Sequence, residues 1–123
     1  MNETDLFRED VGSTADEEGG CCAPALRLDD DLIDADVRLL STLANETRYE
    51  ALRLLAASEE ELCACEIEGA LPVSQSAVSQ ALSALYAADL VERRKDGRWR
   101  YYRPSGRAWT ILETLDAVRG EGR

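Results

Sequence analysis

The stretch that decides the fold runs from Leu71 to Ser105, "LPVSQSAVSQALSALYAADLVERRKDGRWRYYRPS". Its first half has a helical period. Val78, Leu82 and Leu85 recur four and then three residues apart, which lays one apolar stripe along a helix from about Ser74 to Ala88. The other face holds Ser74, Gln75, Ser76, Ser79, Gln80 and Ser83, all small or uncharged and rich in donors and acceptors. After Leu90 the period falls to two. The segment alternates about Asp96-Gly97, a pair that signals a hairpin because its turn needs positive φ. Pro104 ends the second arm.

Upstream, a short helix from about Cys65 to Leu71 carries Ile67, Ala70 and Leu71, and Pro72-Val73 break it. A helix over Asp34–Ala44 places Val37, Leu40 and Ala44 on one face, with Leu39 and Leu43 beside it and Asp34 or Asp36 as its cap. "NETRYEALRLLAAS" follows, with Asn45 as N-cap and Tyr49, Leu52 and Leu55 or Ala56 as the apolar stripe. Downstream, "AWTILETLDAVR" gives a last helix with Trp109, Leu112 and Leu115 on its apolar surface and Ile111 and Val118 flanking. The order is helix, helix, helix–turn–helix, hairpin, helix. This is a mainly α chain with a β-hairpin wing, a winged helix-turn-helix.

The 123 residues suffice for one compact domain, of a size that commonly gains stability by dimerising. Residues 1–30 read as a flexible acidic arm carrying the vicinal pair Cys21-Cys22, and residues 31–123 as the folded domain. No apolar run approaches the roughly 20 residues that cross a bilayer, and the charged N-terminus lacks a signal core. The expected compartment is the cytoplasm. There thiols stay reduced, so four cysteines point to metal or redox chemistry before disulfides. Histidine is absent from the chain, which removes Ser/His/Asp and Cys/His catalysis and every imidazole metal site.

The net charge is −11, and 13 of the 14 basic residues are arginines. Acid excess with lysine depletion resembles the proteins of microbes that keep molar salt inside. Such a charge alone argues against nucleic acid as a partner. Its distribution reverses the argument. Residues 1–36 hold 12 acids and two arginines, whereas residues 91–107 hold seven basic residues and two acids. The acidic background cannot explain that patch.

A helix fits the major groove, where amide side chains pair with adenine edges. Gln75 and Gln80 suit that role, and Ser74, Ser76 and Ser79 suit phosphates or bases. Arg93, Arg94, Lys95, Arg98 and Arg100 of the hairpin suit phosphates or an adjacent minor groove. The partner they imply is double-stranded DNA. In molar salt the Debye length is about 3 Å, so close hydrogen bonds carry most of the affinity. A polar solvent face and a solvated charged hairpin are the plainer readings of the same residues.

Cys63 and Cys65 precede this unit. Thiolates are soft ligands for zinc, cadmium, lead or arsenite. On a regular helix, residues two apart point to nearly opposite sides, so the pair can share an ion only at an irregular helix start or after local unwinding. Ion capture there would distort the first turn of the DNA-binding unit. Two sulfurs are too few, and Cys21 and Cys22 can supply the rest, from the same chain or a dimer mate. Glu59, Glu60, Glu61, Glu66 and Glu68 raise thiol pKa values yet attract a cation. Buried packing residues, a redox switch and a structural zinc site are the other readings of the thiols.

"ELCACEI" resembles the Glu-Leu-Cys-Val-Cys-Asp-Leu metal box of the arsenical-resistance (ArsR/SmtB) repressors. "LPVSQSAVSQALSALYAADLVERRKDGRWRYYRPS" is similar to that family's "SQPxVSxHLxxLxxAGLVxxRRxGRxxYYxL" run, and "LANETRYEALRLL" to its "LADPTRLRILxLL" helix. The match covers roughly residues 36 to 119. It implies a homodimeric repressor with its first and last helices at the dimer interface, released from operator DNA by arsenite or antimonite, or by cadmium, lead or zinc, with no organic cofactor. Cys63 and Cys65 match the two box cysteines. The third cysteine of many arsenite sensors is here Glu68. The cadmium/lead branch adds cysteines from an N-terminal arm, where Cys21 and Cys22 stand. The family's histidine in the reading helix is here Gln80. Two readings from other classes compete. One is a winged-helix module for a protein partner with zinc as a staple. The other is a small thiol oxidoreductase, which the missing histidine and Cys-x-x-Cys disfavour.

Overall fold

The computed structural model describes residues 26–120. Cys21, Cys22 and most of the acidic arm assigned to residues 1–30 lie outside them. The chain divides at Ile33, and the main compact unit begins at Asp34.

Helix α1 spans Asp30–Leu43. It starts earlier than its apolar spacing suggests. The Asp29 carboxylate accepts from the N–H groups of Asp31 (3.0 Å) and Leu32 (3.2 Å), so Asp29 caps it and not Asp34 or Asp36. Asp30 and Asp31 then lie in the first turn, where the helix dipole favours acids. Helix α2 spans Glu46–Ala57, and Asn45 caps it as expected, accepting from Arg48 N–H at 3.0 Å.

A strand that the sequence pattern does not announce comes next, β1, Leu62–Cys63. Helix α3, Ala64–Ala70, leaves it directly. Helix α4, Gln75–Ala87, follows the Pro72 break with Ser74 as its cap. Asp89, in the left-handed region at φ 61°, turns the chain into β2, Val91–Asp96. Strand β3, Trp99–Pro104, returns, and α5, Gly106–Arg119, ends at the left-handed Gly120.

The three strands form an antiparallel sheet in the order β1-β3-β2. Asp96 pairs with Trp99, so the two turn residues are Gly97 and Arg98, one position later than Asp96-Gly97. Gly97 alone takes positive φ, at 67°, and Arg98 keeps negative φ. This leaves the glycine first in the turn, as a type II′ hairpin requires.

The core gathers Leu52 and Leu55 of α2, Ile67 of α3, Val78, Leu82 and Leu85 of α4, Leu90, Tyr102 of β3 and Leu112 of α5. The α4 stripe is the expected one. Helix α1 is the exception. Its Leu39 and Leu43 pack against the core, while Val37 and Leu40 of the apolar face are 53% and 65% exposed. Helix α5 likewise buries Ala108 and Leu112 and leaves Trp109 and Val118 outside. No helix among the described residues is long and apolar enough to cross a membrane.

Candidate nucleic-acid interface and thiol site

Burial of Val78, Ala81, Leu82 and Leu85 fixes which side of α4 faces water. Ser74, Gln75, Ser76, Ser79 and Gln80 are all exposed on that side, as the sequence requires. The Ser74 oxygen accepts from Ala77 N–H at 3.0 Å, which leaves its O–H to donate elsewhere. Gln80 also borders a hollow of about 140 Å³ between α4 and the start of α2, shared with Asn45, Thr47 and Arg48. Arg48 is therefore a cation beside the reading face that lies outside the basic hairpin.

The wing sorts its five expected cations by the alternation of its strands. Arg93 pairs in register with Tyr102 and Lys95 with Arg100, so these share the face that reaches the core at Val91 and Pro104. The Arg93 guanidinium stacks on the Tyr86 ring of α4 at 3.9 Å, which ties the wing to the reading helix. Lys95, Arg98 and Arg100 are exposed and form no ion pair among the described residues. Arg94 points to the other face. It pairs with Glu61 at 2.7 Å, lies 3.8 Å from Asp96, and stacks on Tyr101 at 4.8 Å. The Arg94 hydrogen bond holds the Glu61 carboxyl below the usual carboxylate range, and Glu61 in turn raises the guanidinium. Arg103 of the same face pairs with Glu92 at 2.7 Å. Glu61 and Tyr101 thus matter to the wing in a way residue type alone does not reveal, because the Glu61–Arg94 pair joins residues 33 apart.

The thiols meet at the junction of β1 and α3. Cys63 is the last residue of the strand and the N-cap of the helix, with extended dihedrals of −84° and 162°. Cys65 is the second helical residue. The change of backbone direction between them cancels the opposition that a regular helix would impose. Their sulfurs lie 2.7 Å apart with no unwinding, and both cysteines are free. Cys63 is buried and Cys65 exposed, so the pair opens to solvent on one side. Cys63 N–H donates to Glu66 Oε1 at 2.8 Å, which closes the first turn of α3. The hydrogen bond to Cys63, followed by desolvation and the nearby Cys63 and Glu66, pushes the Cys65 thiol above its usual pKa.

Thiolates are the right donors for a soft ion, but the corner is half a site. Among the described residues no group of three or more cysteines and carboxylates stands ready to hold a metal. Two thiolates on tetrahedral zinc sit about 3.8 Å apart, from Zn–S bonds of about 2.3 Å. The pair must therefore open when it binds such an ion.

Residues 45–93 match the model of the arsR family of bacterial regulatory proteins. The chain is 50% identical over 105 residues to the ArsR2 protein of Halobacterium salinarum, covering 85% of this chain and 88% of that one. It is 39% identical over 87 residues to the arsenical resistance operon repressor of Escherichia coli, covering 69% and 74% of the two chains. A homodimeric winged helix-turn-helix DNA-binding domain from Mycobacterium bovis superposes with a TM-score of 0.63 at 32% identity, covering 79% of this chain and 90% of that domain.

Proposed function

The chain belongs to the ArsR family of bacterial regulatory proteins, and we propose that it is a homodimeric repressor that leaves its operator when a thiophilic ion binds its cysteines. It is a transcriptional regulator and not an enzyme. The observation that carries the inducible part is the thiol corner, with two sulfurs 2.7 Å apart at the entrance to the helix–turn–helix.

In this reading α4 enters the major groove. Gln75 and Gln80 pair with adenine edges, and Ser74, Ser76 and Ser79 bond phosphates or bases. Arg93, Lys95, Arg98 and Arg100 meet the flanking backbone. Arg94, already neutralised by Glu61, is left out of that set. The arsenical-resistance relative supports an arsenical as the inducer. Glu68 replaces a third box cysteine, so the donors that complete the site come from Cys21 and Cys22, of the same chain or the partner. The ion spreads Cys63 from Cys65 and re-aims α3, and α4 follows. All this takes place in a reducing cytoplasm, where the thiols remain available.

The deciding experiment is operator binding by fluorescence anisotropy at high salt under reductant, titrated with arsenite, antimonite, cadmium, lead and zinc in turn. Release by at least one ion is expected, and a three-sulfur site ranks arsenite and antimonite first. Tight binding that no ion disturbs overturns the inducible reading.

A further inference from the structure

The thiol corner and the wing share one sheet. Cys63 of β1 pairs in register with Tyr101 of β3, and Tyr101 pairs with Arg94 of β2. Residues directly opposite on neighbouring strands lie on the same face, so Cys63, Tyr101 and Arg94 form one row across all three strands. The row is closed from above. Glu61, two residues before Cys63, reaches over to Arg94, with its Oε1 accepting from Nη2 at 2.7 Å and from Nε at 3.0 Å. The Arg94 guanidinium lies against the Tyr101 ring beneath.

We propose that this clasp of Glu61, Arg94 and Tyr101 carries ion capture at Cys63 and Cys65 to the wing. The inference rests on the ion-sensing reading above and adds the route by which that site is coupled to the wing.

Strand β1 joins the sheet through only two residues, so its backbone pairing alone is a weak link. A bidentate carboxylate–guanidinium contact from Glu61, the residue that leads into this strand, adds a directional tie to the far arm of the hairpin. Any displacement of Cys63 as the sulfurs open must either stretch that tie or drag the wing. On the opposite face of the wing, Arg93 is seated on Tyr86 of the reading helix, so a tilt of the hairpin changes the aim of Lys95, Arg98 and Arg100 relative to α4. Arg94 therefore acts as a positioning residue and makes no contact with DNA.

The test uses the full chain, with cadmium as the probe because its thiolate bonds absorb in the ultraviolet. Hydrogen exchange of the hairpin, residues 91–104, reports the wing without DNA. In the wild type, cadmium capture is expected to change hairpin exchange severalfold. In Glu61→Gln and Arg94→Gln, capture persists and the exchange response is lost. The swap Glu61→Arg/Arg94→Glu restores it. Neither single change alters the salt slope of DNA binding, whereas a phosphate contact at Arg94 would lower that slope by about one. An equal exchange response in the single variants overturns the proposal, as does a flattened slope in Arg94→Gln alone. A hairpin that responds while the operator stays bound refutes induced release and leaves the clasp standing. Failure of the wild type to capture cadmium overturns both.

Discussion

At the scale of single residues, position in the backbone decides what Cys63 and Cys65 can do. The same two residues in the middle of a helix would face apart. Cys63→Ser and Cys65→Ser should each leave ion-free operator binding intact and abolish release, read by anisotropy. Cys21→Ser/Cys22→Ser should weaken the response if the arm completes the site. The raised Cys65 pKa gives the sign of the pH dependence. A cation such as cadmium displaces the thiol proton, so cadmium affinity should rise with pH, by about tenfold per unit for each proton displaced. Arsenite, as As(OH)3, instead loses its hydroxyls with the thiol protons as water and should show little dependence. Cadmium affinity that falls or stays flat from pH 6 to 8 would argue against thiolate capture. On the DNA side, Gln80→Ala should relax sequence preference by about 1–3 kcal/mol at one base step, while Arg98→Ala should weaken all sequences alike. Competition with scrambled duplexes separates the two.

At the scale of elements, the junction after α4 carries a measurable strain. Asp89 sits at φ 61°, where the family run resembling this segment has glycine. Asp89→Gly should stabilise the fold by about 1 kcal/mol in urea melts, because a side chain is disfavoured there. Ser105 offers the opposite case. Its hydroxyl caps α5 through Ala108 N–H and donates to the Asp89 carbonyl at 2.8 Å. Ser105→Ala should cost about 1–2 kcal/mol, more than loss of the exposed Ser74 cap. These elements also show what a sequence discloses. The stripe of α4 and the alternation of the hairpin are local, and the reading face and the wing followed from them. Strand β1 is too short to have a period and exists only because β3 lies beside it, so the sheet's third strand was invisible. The Glu61–Arg94 pair was hidden for the same reason. The thiol corner was legible as a requirement, an irregular helix start, without the strand that supplies it. The α1 stripe was legible as apolar, but periodicity says that a face is buried and not by what, so core and partner subunit stayed open for it.

At the scale of the whole molecule, that outward stripe is the feature most in need of a partner. Val37 and Leu40 of α1 are 53% and 65% exposed, and Val118 of α5 is 77% exposed, on a chain whose net charge of −11 otherwise keeps copies apart. Apolar area left in water costs about 25 cal/mol per Å², so covering these residues in a homodimer is favourable, the more so where salt screens the acids. A dimer also explains how one short reading helix achieves specificity. Two copies of α4 can address half-sites one helical turn apart, and the second contact becomes intramolecular. Leu40→Glu places a charge in this face without touching the core. It should give a monomer by sedimentation, an unchanged helical circular dichroism spectrum, and operator affinity lower by about 10²–10⁴-fold. The cysteines should still capture an ion, but with weaker stoichiometry if Cys21 and Cys22 act across the dimer. Persistence of the dimer in both Leu40→Glu and Val37→Asp would put the interface elsewhere. A monomer that binds the operator as tightly as the wild type would show that one reading helix and one wing suffice.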